Sequence, residues 1–323
     1  MASSRSPRRR VVLIASPGVQ LLDLTGPLEA FAGAAQHRPG AYHWVVASPG
    51  GGAITSSSGV VVTTRALGGV RPTARDTVLI AGGDEAGVRG AISDRRLRAW
   101  LVRAAPVVER LGSVCSGAFV LAATGLLDGQ RAATHWSACD RLAAFRPALT
   151  VDRDAIYVRT GRLWTSAGVT TGIDMALAMI EDDLGREVAD AAAARLVLYA
   201  RRPGFQSQWS DALLAQARSG DPLAPGIAWA RAHLLGLDVP RLARQLGWSV
   251  RTLHRRCQAT VGTTPAKLIE RLRVERAREL LASGERAVKQ VAAAAGFADV
   301  AQLARAFRRT LGTRPRDYRL LFG

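Results

Sequence analysis

The stretch Leu111-Gly112-Ser113-Val114-Cys115-Ser116-Gly117, followed by AFVLAATGLL at residues 118–127, decides how the first two thirds of this chain are read. A short apolar strand turns at a cysteine into an apolar helix, with glycine two residues on. That is the form of a nucleophile elbow. Small neighbours let the backbone take the sharp turn, and the thiol then points at the N-terminus of the following helix. Backbone N–H groups and the helix dipole favour a thiolate there. On this basis Cys115 is expected to have the lowest pKa of the three cysteines, Cys115, Cys139 and Cys257. The bland alternative is a small buried cysteine ahead of a core helix.

Working outward, VVLIA at residues 11–15 has the unbroken apolar character of a strand buried on both faces. Thr25-Gly26-Pro27 opens a helix over 28–36, with proline at an early helical position. Strands are predicted at 43–48, 60–64, 77–80 and 132–136, the third running into the flexible loop Ala81-Gly82-Gly83. Residues 94–105 have helical periodicity, with Leu97, Leu101 and Val102 on one face. Thr160-Gly161 joins a hairpin of 155–158 and 162–166, and a helix over 170–184 ends at Gly185. Strands alternating with helices at this spacing predict an α/β, doubly wound, mostly parallel sheet.

At roughly 100–200 residues per domain, 323 residues make two or three domains. With 48% apolar and 22% charged residues, the composition excludes a disordered chain. The apolar runs fall well short of the ~20 residues a membrane span needs. Three cysteines without paired spacing exclude a disulfide scaffold and a cysteine-type zinc site, and no metal or cofactor is expected. No signal-peptide core follows residues 1–10, so the expected location is the cytoplasm.

Charge is more informative than size. The net charge is +18, and 42 of the 44 basic residues are arginine. A GC-rich coding bias would explain arginine over lysine but not where the charge lies. Residues 1–10 carry four arginines and no acid, whereas residues 226–323 carry 19 basic and 7 acidic side chains. A basic domain beside a nearly neutral one points to a nucleic-acid reader joined to something else.

That basic segment contains a repeat. TVGTTP at 260–265 returns as TLGTRP at 310–315, and Val250, Leu253 and Arg255 pair with Val300, Leu303 and Arg305 at the same offset. Gly247-Trp248 pairs with Gly296-Phe297 one residue closer, so the second turn is one residue longer. Each block reads as helix-turn-helix. A supporting helix over 239–246 turns at Gly247, and Ser249 caps a helix over 250–259 that exposes Arg251, Thr252, His254, Arg255 and Arg256. A second supporting helix over 288–295 turns at Gly296, and Asp299 caps a helix over 300–310 that exposes Gln302, Arg305, Arg308 and Arg309. The joining helix, 266–282, rises ~26 Å. It would hold two recognition helices near the ~34 Å repeat of successive major grooves. Ala301, Ala304 and Ala306 leave the second helix fewer long polar side chains facing outward than the first, so it either reads bases or mainly grips phosphates. The alternative is a helical protein-interaction domain with a solvated arginine face.

The segment SVCSGAFVLAATGLLDGQRAATHW at 113–136 resembles the core motif of the PfpI/ThiJ family, in the class-I glutamine-amidotransferase-like superfamily. LDLTGP at 22–27, AGG at 81–83 and SAGVTTGIDM at 166–175 fit the branch of that family fused to regulators. The resemblance covers about residues 10–190 and implies a flavodoxin-like sheet. It makes Cys115 the elbow cysteine, Asp23 the acid approaching it from the first strand–helix loop, and His135 the histidine of the T-H-W segment. Ser116, Gly82 and Gly83 complete the candidate pocket. Asp23 also reads as a loop residue capping the next helix, and His135 as a structural hydrogen-bonding residue. In protease-like members a histidine directly follows the cysteine; here Ser116 stands there, so no general base is assured. Residues 226–323 resemble the AraC/XylS-type DNA-binding domain, including its end signature Gly312-Thr313-Arg314-Pro315 with Tyr318-Arg319.

The resulting layout is a basic disordered tail at 1–10, a PfpI/ThiJ-like α/β domain at 11–200, a linker at 201–225 and an all-α domain with two helix-turn-helix units at 226–323. The function it implies is a DNA-binding transcriptional regulator. Its partners would be double-stranded DNA, a small-molecule effector, RNA polymerase if it activates, and a second copy through the N-terminal domain. No membrane partner is expected. The competing readings are a cysteine-dependent enzyme of the isonitrile hydratase or amidase type at Cys115, or a redox sensor there.

Overall fold

A computed structural model describes residues 8–198, 201–202, 204, 208, 222–261, 263–282, 287–311 and 314–322. The chain divides into two compact units, Met1–Gln208 and Trp209–Gly323. The strands of the first unit are β1 (Arg9–Ile14), β2 (Tyr42–Ser48), β3 (Gly52–Thr55), β4 (Val61–Ala66), β5 (Asp76–Ile80), β6 (Arg110–Val114), β7 (Arg131–Ala132), β8 (Thr150–Val151), β9 (Tyr157–Thr160) and β10 (Leu163–Ser166). Eight of them form one sheet in the order β3-β4-β2-β1-β5-β6-β10-β9, and β7 pairs with β8 separately. Pairing is parallel from β4 through β10 and antiparallel at the outer pairs β3–β4 and β9–β10. The expected doubly wound, mostly parallel sheet is what the chain forms.

The apolar run of β1 explains the layering. Val11 and Leu13 enter one core, with Phe31 of α1 (Leu21–His37), Met175 and Ile180 of α6 (Thr171–Leu184) and Ala189 of α7 (Arg186–Arg195). Val12 and Ile14 enter the other, with Ala91 of α2 (Glu85–Ser93), Leu97, Trp100 and Leu101 of α3 (Arg95–Ala104), Leu121 of α4 (Gly117–Ala122) and Leu142 of α5 (Cys139–Phe145). Strand side chains alternate between faces, so a strand with no polar position must be covered twice. Each large side chain buried this way contributes about 1.5–3 kcal/mol.

At the amino ends of β2 and β6 a polar cluster ties the sheet to α6. The Tyr42 hydroxyl donates to Asp183 Oδ2 at 2.7 Å, and Arg110 donates from Nη1 and Nη2 to the same carboxylate at 3.1 and 2.7 Å. The Asp183 side chain is 1% exposed and that of Arg110 8%, so each charge depends on the other for solvation.

The second unit is helical: α8 (Ala224–Ala232), α9 (Val239–Gln245), α10 (Val250–Val261), α11 (Pro265–Ala282), α12 (Val288–Ala294), α13 (Val300–Leu311) and α14 (Pro315–Phe322). Leu242, Leu253, Cys257, Leu268 and Leu272 share one core with Leu223 and Ile227. Phe307 packs edge-on against Tyr318, with ring centroids 5.6 Å apart. The two turns sit where the repeat predicts, with φ +67° at Gly247 and +82° at Gly296, a region that favours glycine. Ser249 Oγ accepts from the Thr252 N–H at 3.1 Å, and Asp299 Oδ1 from the Gln302 N–H at 2.6 Å. Both expected caps are therefore in place.

Several expectations are corrected. The helix after the elbow stops at Ala122, because the chain turns at Gly125 with φ +81°. The strand expected at 132–136 pairs only as far as Ala132 and gives way to a 3-10 turn, Trp136–Ala138. The first helix begins at Leu21, so Asp23 lies in its first turn rather than in a loop, and Pro27 lies inside it. Val102 is 48% exposed; Trp100 and Ala104 complete the buried face instead. Ala306 is buried and belongs to the core side of its helix. Arg9 and Arg10, assigned to the tail, are strand residues, and Arg10 Nη2 meets Asp76 Oδ2 at 2.6 Å. The start of the expected linker is fastened to the first unit through Arg201, Arg202, Gly204 and Gln208. Leu223 is buried and α8 begins at Ala224, so the helical unit starts ahead of residue 226. Residues 1–7 of the tail, most of the linker, and Gly262, Gly312 and Thr313 of the repeat lie outside the described residues.

Replacing Asp183 tests the polar cluster. Asp183→Ala removes the hydrogen-bonded partner of the buried Arg110 guanidinium, leaving Asp182 and Glu109 at 3.9 and 4.0 Å, and is expected to cost about 3–5 kcal/mol, read as a lower urea midpoint with an unchanged slope.

Candidate functional site

The carboxyl ends of β1, β5 and β6 lie side by side. This edge receives the loop after β1, the glycine pair after β5 and the cysteine turn after β6. Cys115 has φ +55° and is only half-buried, a strained conformation for a residue with a side chain. Its N–H donates to the carbonyls of Ser166 and Ala167 at 3.1 and 2.8 Å, and its own carbonyl accepts from Thr134 Oγ1 at 2.9 Å. Ser116 Oγ accepts from the Gly83 N–H at 3.0 Å and donates to the Gly83 carbonyl at 3.1 Å. The residue standing where a base would be is thus occupied in pinning the elbow to the β5 loop. A Cβ at Gly82 would lie 2.6 Å from both Asp23 Oδ2 and Ser116 Oγ, so only glycine lets the carboxylate and the elbow meet across it.

Asp23 is 0% exposed. Neither carboxylate oxygen has a well-aligned hydrogen bond among the described residues. Burial pushes its pKa up to about 7, while the Cys115 thiol and the N–H groups of Gly82 and Val169 pull it back. Burial and then the Asp23 charge push the Cys115 thiol up to about 12. Burial takes Cys139 and Cys257 to about 11. All three thiols are pushed up, so the lowered Cys115 pKa expected from the helix N-terminus is not what the fold favours. The following helix has only six residues, and its weak dipole is outweighed by desolvation and by the neighbouring carboxylate. Asp23 and Cys115 titrate as a pair.

His135 stands close to this site but is committed elsewhere. Its Nδ1 lies 2.8 Å from Ser137 Oγ and accepts from the Ser137 N–H at 3.3 Å, capping the 3-10 turn. Burial lowers its pKa. A Cβ at Gly168 would strike the imidazole, so the ring is held against that loop. The sequence reading missed Val169, whose φ is +47° and whose N–H serves both Asp23 and Cys115; its side chain gives no sign of that role. Among the described residues no group of three His, Cys, Asp or Glu side chains could hold a metal ion. A cavity of about 690 Å³ opens elsewhere on the same edge, lined by Ser16, Gly18, Ser48, Gly51, Asp84 and Asp94 among others.

In the helical unit, Leu253, Cys257 and Val261 bury one face of α10, leaving Arg251, His254, Arg255 and Arg256 exposed. Thr252 is only half-exposed, and its Oγ1 lies 2.9 Å from the Ser249 cap. The Arg256 guanidinium lies 5.9 Å over the Trp248 ring. On α13, Leu303, Ala306 and Phe307 are buried, while Gln302, Arg305, Arg308 and Arg309 are exposed. Gln302 Oε1 accepts from the Ala298 N–H at 2.8 Å. Arg309 is held by Glu270 of α11, with Nε–Oε1 3.3 Å and Nη2–Oε2 2.5 Å. Arg251, Arg255, Arg305 and Arg308 make no ion pair among the described residues. The expected set is thus exposed except for Thr252, but three members, Thr252, Gln302 and Arg309, already have polar partners.

A model of the DJ-1/PfpI family matches residues 9–182, and a helix-turn-helix domain matches residues 242–320. The chain is 31% identical over 280 residues to the HTH-type transcriptional regulator GlxA of Rhizobium meliloti, covering 86% of this chain and 85% of that protein. It is 34% identical over 195 residues to an isonitrile hydratase of Pseudomonas putida, covering 60% of this chain and 80% of that enzyme. The crystal structure of a THiJ/PfpI family protein from Pseudomonas syringae superposes with a TM-score of 0.56 at 24% identity, covering 71% of this chain and 89% of that one.

Three substitutions test the geometry. A buried acid with a raised pKa favours its neutral form, so folding becomes less favourable as pH rises from about 4 to 7 and levels off above that. Asp23→Asn removes this loss. Its melting temperature is expected to exceed that of the unmodified chain at pH 8 and to match it near pH 4. Gly82→Ala is expected to cost about 1–3 kcal/mol through overpacking. Gly90→Ala, in a helix with open space around it, should stabilise by about 0.5–1 kcal/mol. Chemical denaturation of the two variants reads both signs.

Proposed function

Because the chain belongs to the DJ-1/PfpI family and carries a helix-turn-helix domain, we propose that it is a transcriptional regulator that reads duplex DNA through α10 and α13. The observation that carries this reading is the pair of capped, glycine-turned helices; among the described residues Arg251, Arg255 and Arg256 of α10 and Arg305 and Arg308 of α13 are exposed without an ion-pair partner. Elsewhere in the same unit arginines are spent on acids, as in Arg231–Glu275 and Arg278–Glu275. Unpaired arginines on one face of a recognition helix keep their charge available for phosphates and guanine edges.

Arg251 and Arg255 lie one turn apart near the amino end of α10, the part of a recognition helix that reaches base edges. They are assigned to base reading, with His254 and Arg256 beside them. Arg305 and Arg308 are assigned to the second contact, with phosphate the main target of Arg308. The α/β unit is assigned to sensing a small molecule at the Asp23–Cys115 pocket or to pairing with a second copy. RNA polymerase is a further partner if the output is activation.

The strained cysteine turn favours one second reading, cysteine chemistry at Cys115, with an isonitrile hydratase among the relatives. Two features weigh against turnover. The thiol is held protonated at neutral pH, and both Ser116 and His135 are hydrogen-bonded away from general-base duty. Steady turnover of an isonitrile by the full chain, abolished by Cys115→Ser, would establish the enzyme. Saturable thermal stabilisation by a small molecule without turnover would establish the sensor.

The DNA reading is tested with a footprinted operator. Arg251→Ala or Arg255→Ala is expected to cost about 1–3 kcal/mol at the cognate site and much less on random DNA. Arg308→Ala should weaken both equally and lower the salt slope by about one phosphate contact. Arg309→Ala should change the slope less, because Glu270 already neutralises that charge. Equal loss on cognate and random DNA for the two α10 variants would reverse these assignments.

A further inference from the structure

The segment that leaves the α/β unit after α7 is fastened to the loops that enclose Cys115. The Arg202 N–H donates to Asp174 Oδ1 at 3.1 Å, and its Nε and Nη2 donate to Asp174 Oδ2 at 3.0 and 2.6 Å. Nη2 also donates to Thr170 Oγ1 at 3.0 Å. The Asp174 side chain is 4% exposed, in the first turn of α6. Thr170 directly follows Val169, the strained residue whose N–H faces both Asp23 and Cys115.

A second line of contact runs through Gln208. Its Nε2 donates to the carbonyls of Thr134 and Ala155 at 3.1 and 3.2 Å, and its N–H to the Asp154 carbonyl at 2.8 Å. Thr134 in turn donates from Oγ1 to the Cys115 carbonyl at 2.9 Å. Between the two anchors, the Gly204 carbonyl accepts from the Tyr157 N–H at 3.2 Å, and a Cβ at Gly204 would lie 2.6 Å from the Tyr157 ring. Gln208 Oε1 is buried with no partner among the described residues.

We propose that Arg202 and Gln208 are positioning residues of the Cys115 pocket, and that a group occupying that pocket loosens the connector that holds them. Arg202 fixes the loop bearing Val169, and Gln208 fixes Thr134 and through it the carbonyl of the elbow. A ligand or adduct that displaces either loop must break these bonds. The same segment leads into the helical unit, so its order is what pocket occupancy changes. This rests on the reading of the α/β unit as a sensor and specifies how the sensing is carried. Coupling of this kind is reciprocal: if occupancy frees the connector, freeing the connector opens the pocket.

Both directions are measured on the full chain with iodoacetamide as the probe. Arg202→Ala and Gln208→Ala are each expected to raise the alkylation rate of Cys115, read by peptide mass, by about fivefold or more. In the unmodified chain, carbamidomethylation of Cys115 should speed hydrogen exchange at the amides of Arg202 and Gln208, and at Tyr157, which donates to Gly204. Cys115→Ser treated the same way should show no change. Exchange over β1 and β5 controls for general unfolding. If a variant fails that control, the adduct experiment on the unmodified chain decides. Unchanged Cys115 reactivity in variants whose 201–208 amides are demonstrably freed would overturn the proposal, as would unchanged connector exchange in the adduct. Neither readout contains DNA, so failure here leaves the DNA-binding reading standing. Loss of that reading would show only in the operator titration.

Discussion

β1 and β5 have no solvated face, and most of the α/β unit follows from that. Every residue of β5 is buried, and Val11–Ile14 of β1 are at most 1% exposed. Two central strands of this kind demand a helical layer on each side. In one chain that requires helices between successive parallel strands, alternating above and below. The parallel order then brings the carboxyl ends of β1, β5 and β6 to one edge. Asp23, Gly82 and Cys115 are far apart in the chain and meet there for that reason. The opposite edge is used for cohesion: Tyr42, Arg110 and Asp183 bind the amino ends of the strands to α6.

The site is assembled at a cost to the fold. A buried carboxyl group lies beside a half-buried thiol with no base to separate their protons, and two non-glycine residues, Cys115 and Val169, sit at positive φ. Hydrogen bonds from Thr134, Ser116 and the β6–β10 pairing hold this arrangement in place. Strain maintained by its surroundings responds when those surroundings move. This is why the fastening of residues 201–208 to the same loops matters for function and not only for cohesion.

In the helical unit the electrostatics are divided differently. Acids on α11 are opposed to arginines that point across or along the bundle, including Arg309. Among the described residues α10 keeps Arg251, Arg255 and Arg256 without ion partners, while α13 gives up Arg309 to Glu270 and keeps Arg305 and Arg308. The two halves of the repeat share caps and turns but not the number of free charges, which supports a division into a reading helix and a gripping helix.

Much of this was legible in the chain. The VVLIA run, the cysteine elbow, the turn glycines 247 and 296, and the caps Ser249 and Asp299 are local signals, set by backbone geometry and side-chain period. They determined the fold class, the double helix-turn-helix and the place of the candidate pocket. The helices α2, α8 and α14 were missed, since their apolar faces are short and gain stability from packing rather than from propensity. What only the tertiary structure decided is electrostatic and long-range. The helix dipole at the elbow is a local argument and predicted a reactive thiolate. The fold instead buries the thiol against Asp23, about ninety residues away in sequence, and desolvation with that charge raises its pKa. Likewise Arg202 and Gln208 looked like the start of a loose linker until Asp174 and Thr134 were brought beside them. Local sequence specifies conformation over a few residues. The partner that a buried charge or a connecting segment finds depends on which distant residues the packed sheet carries to the same edge.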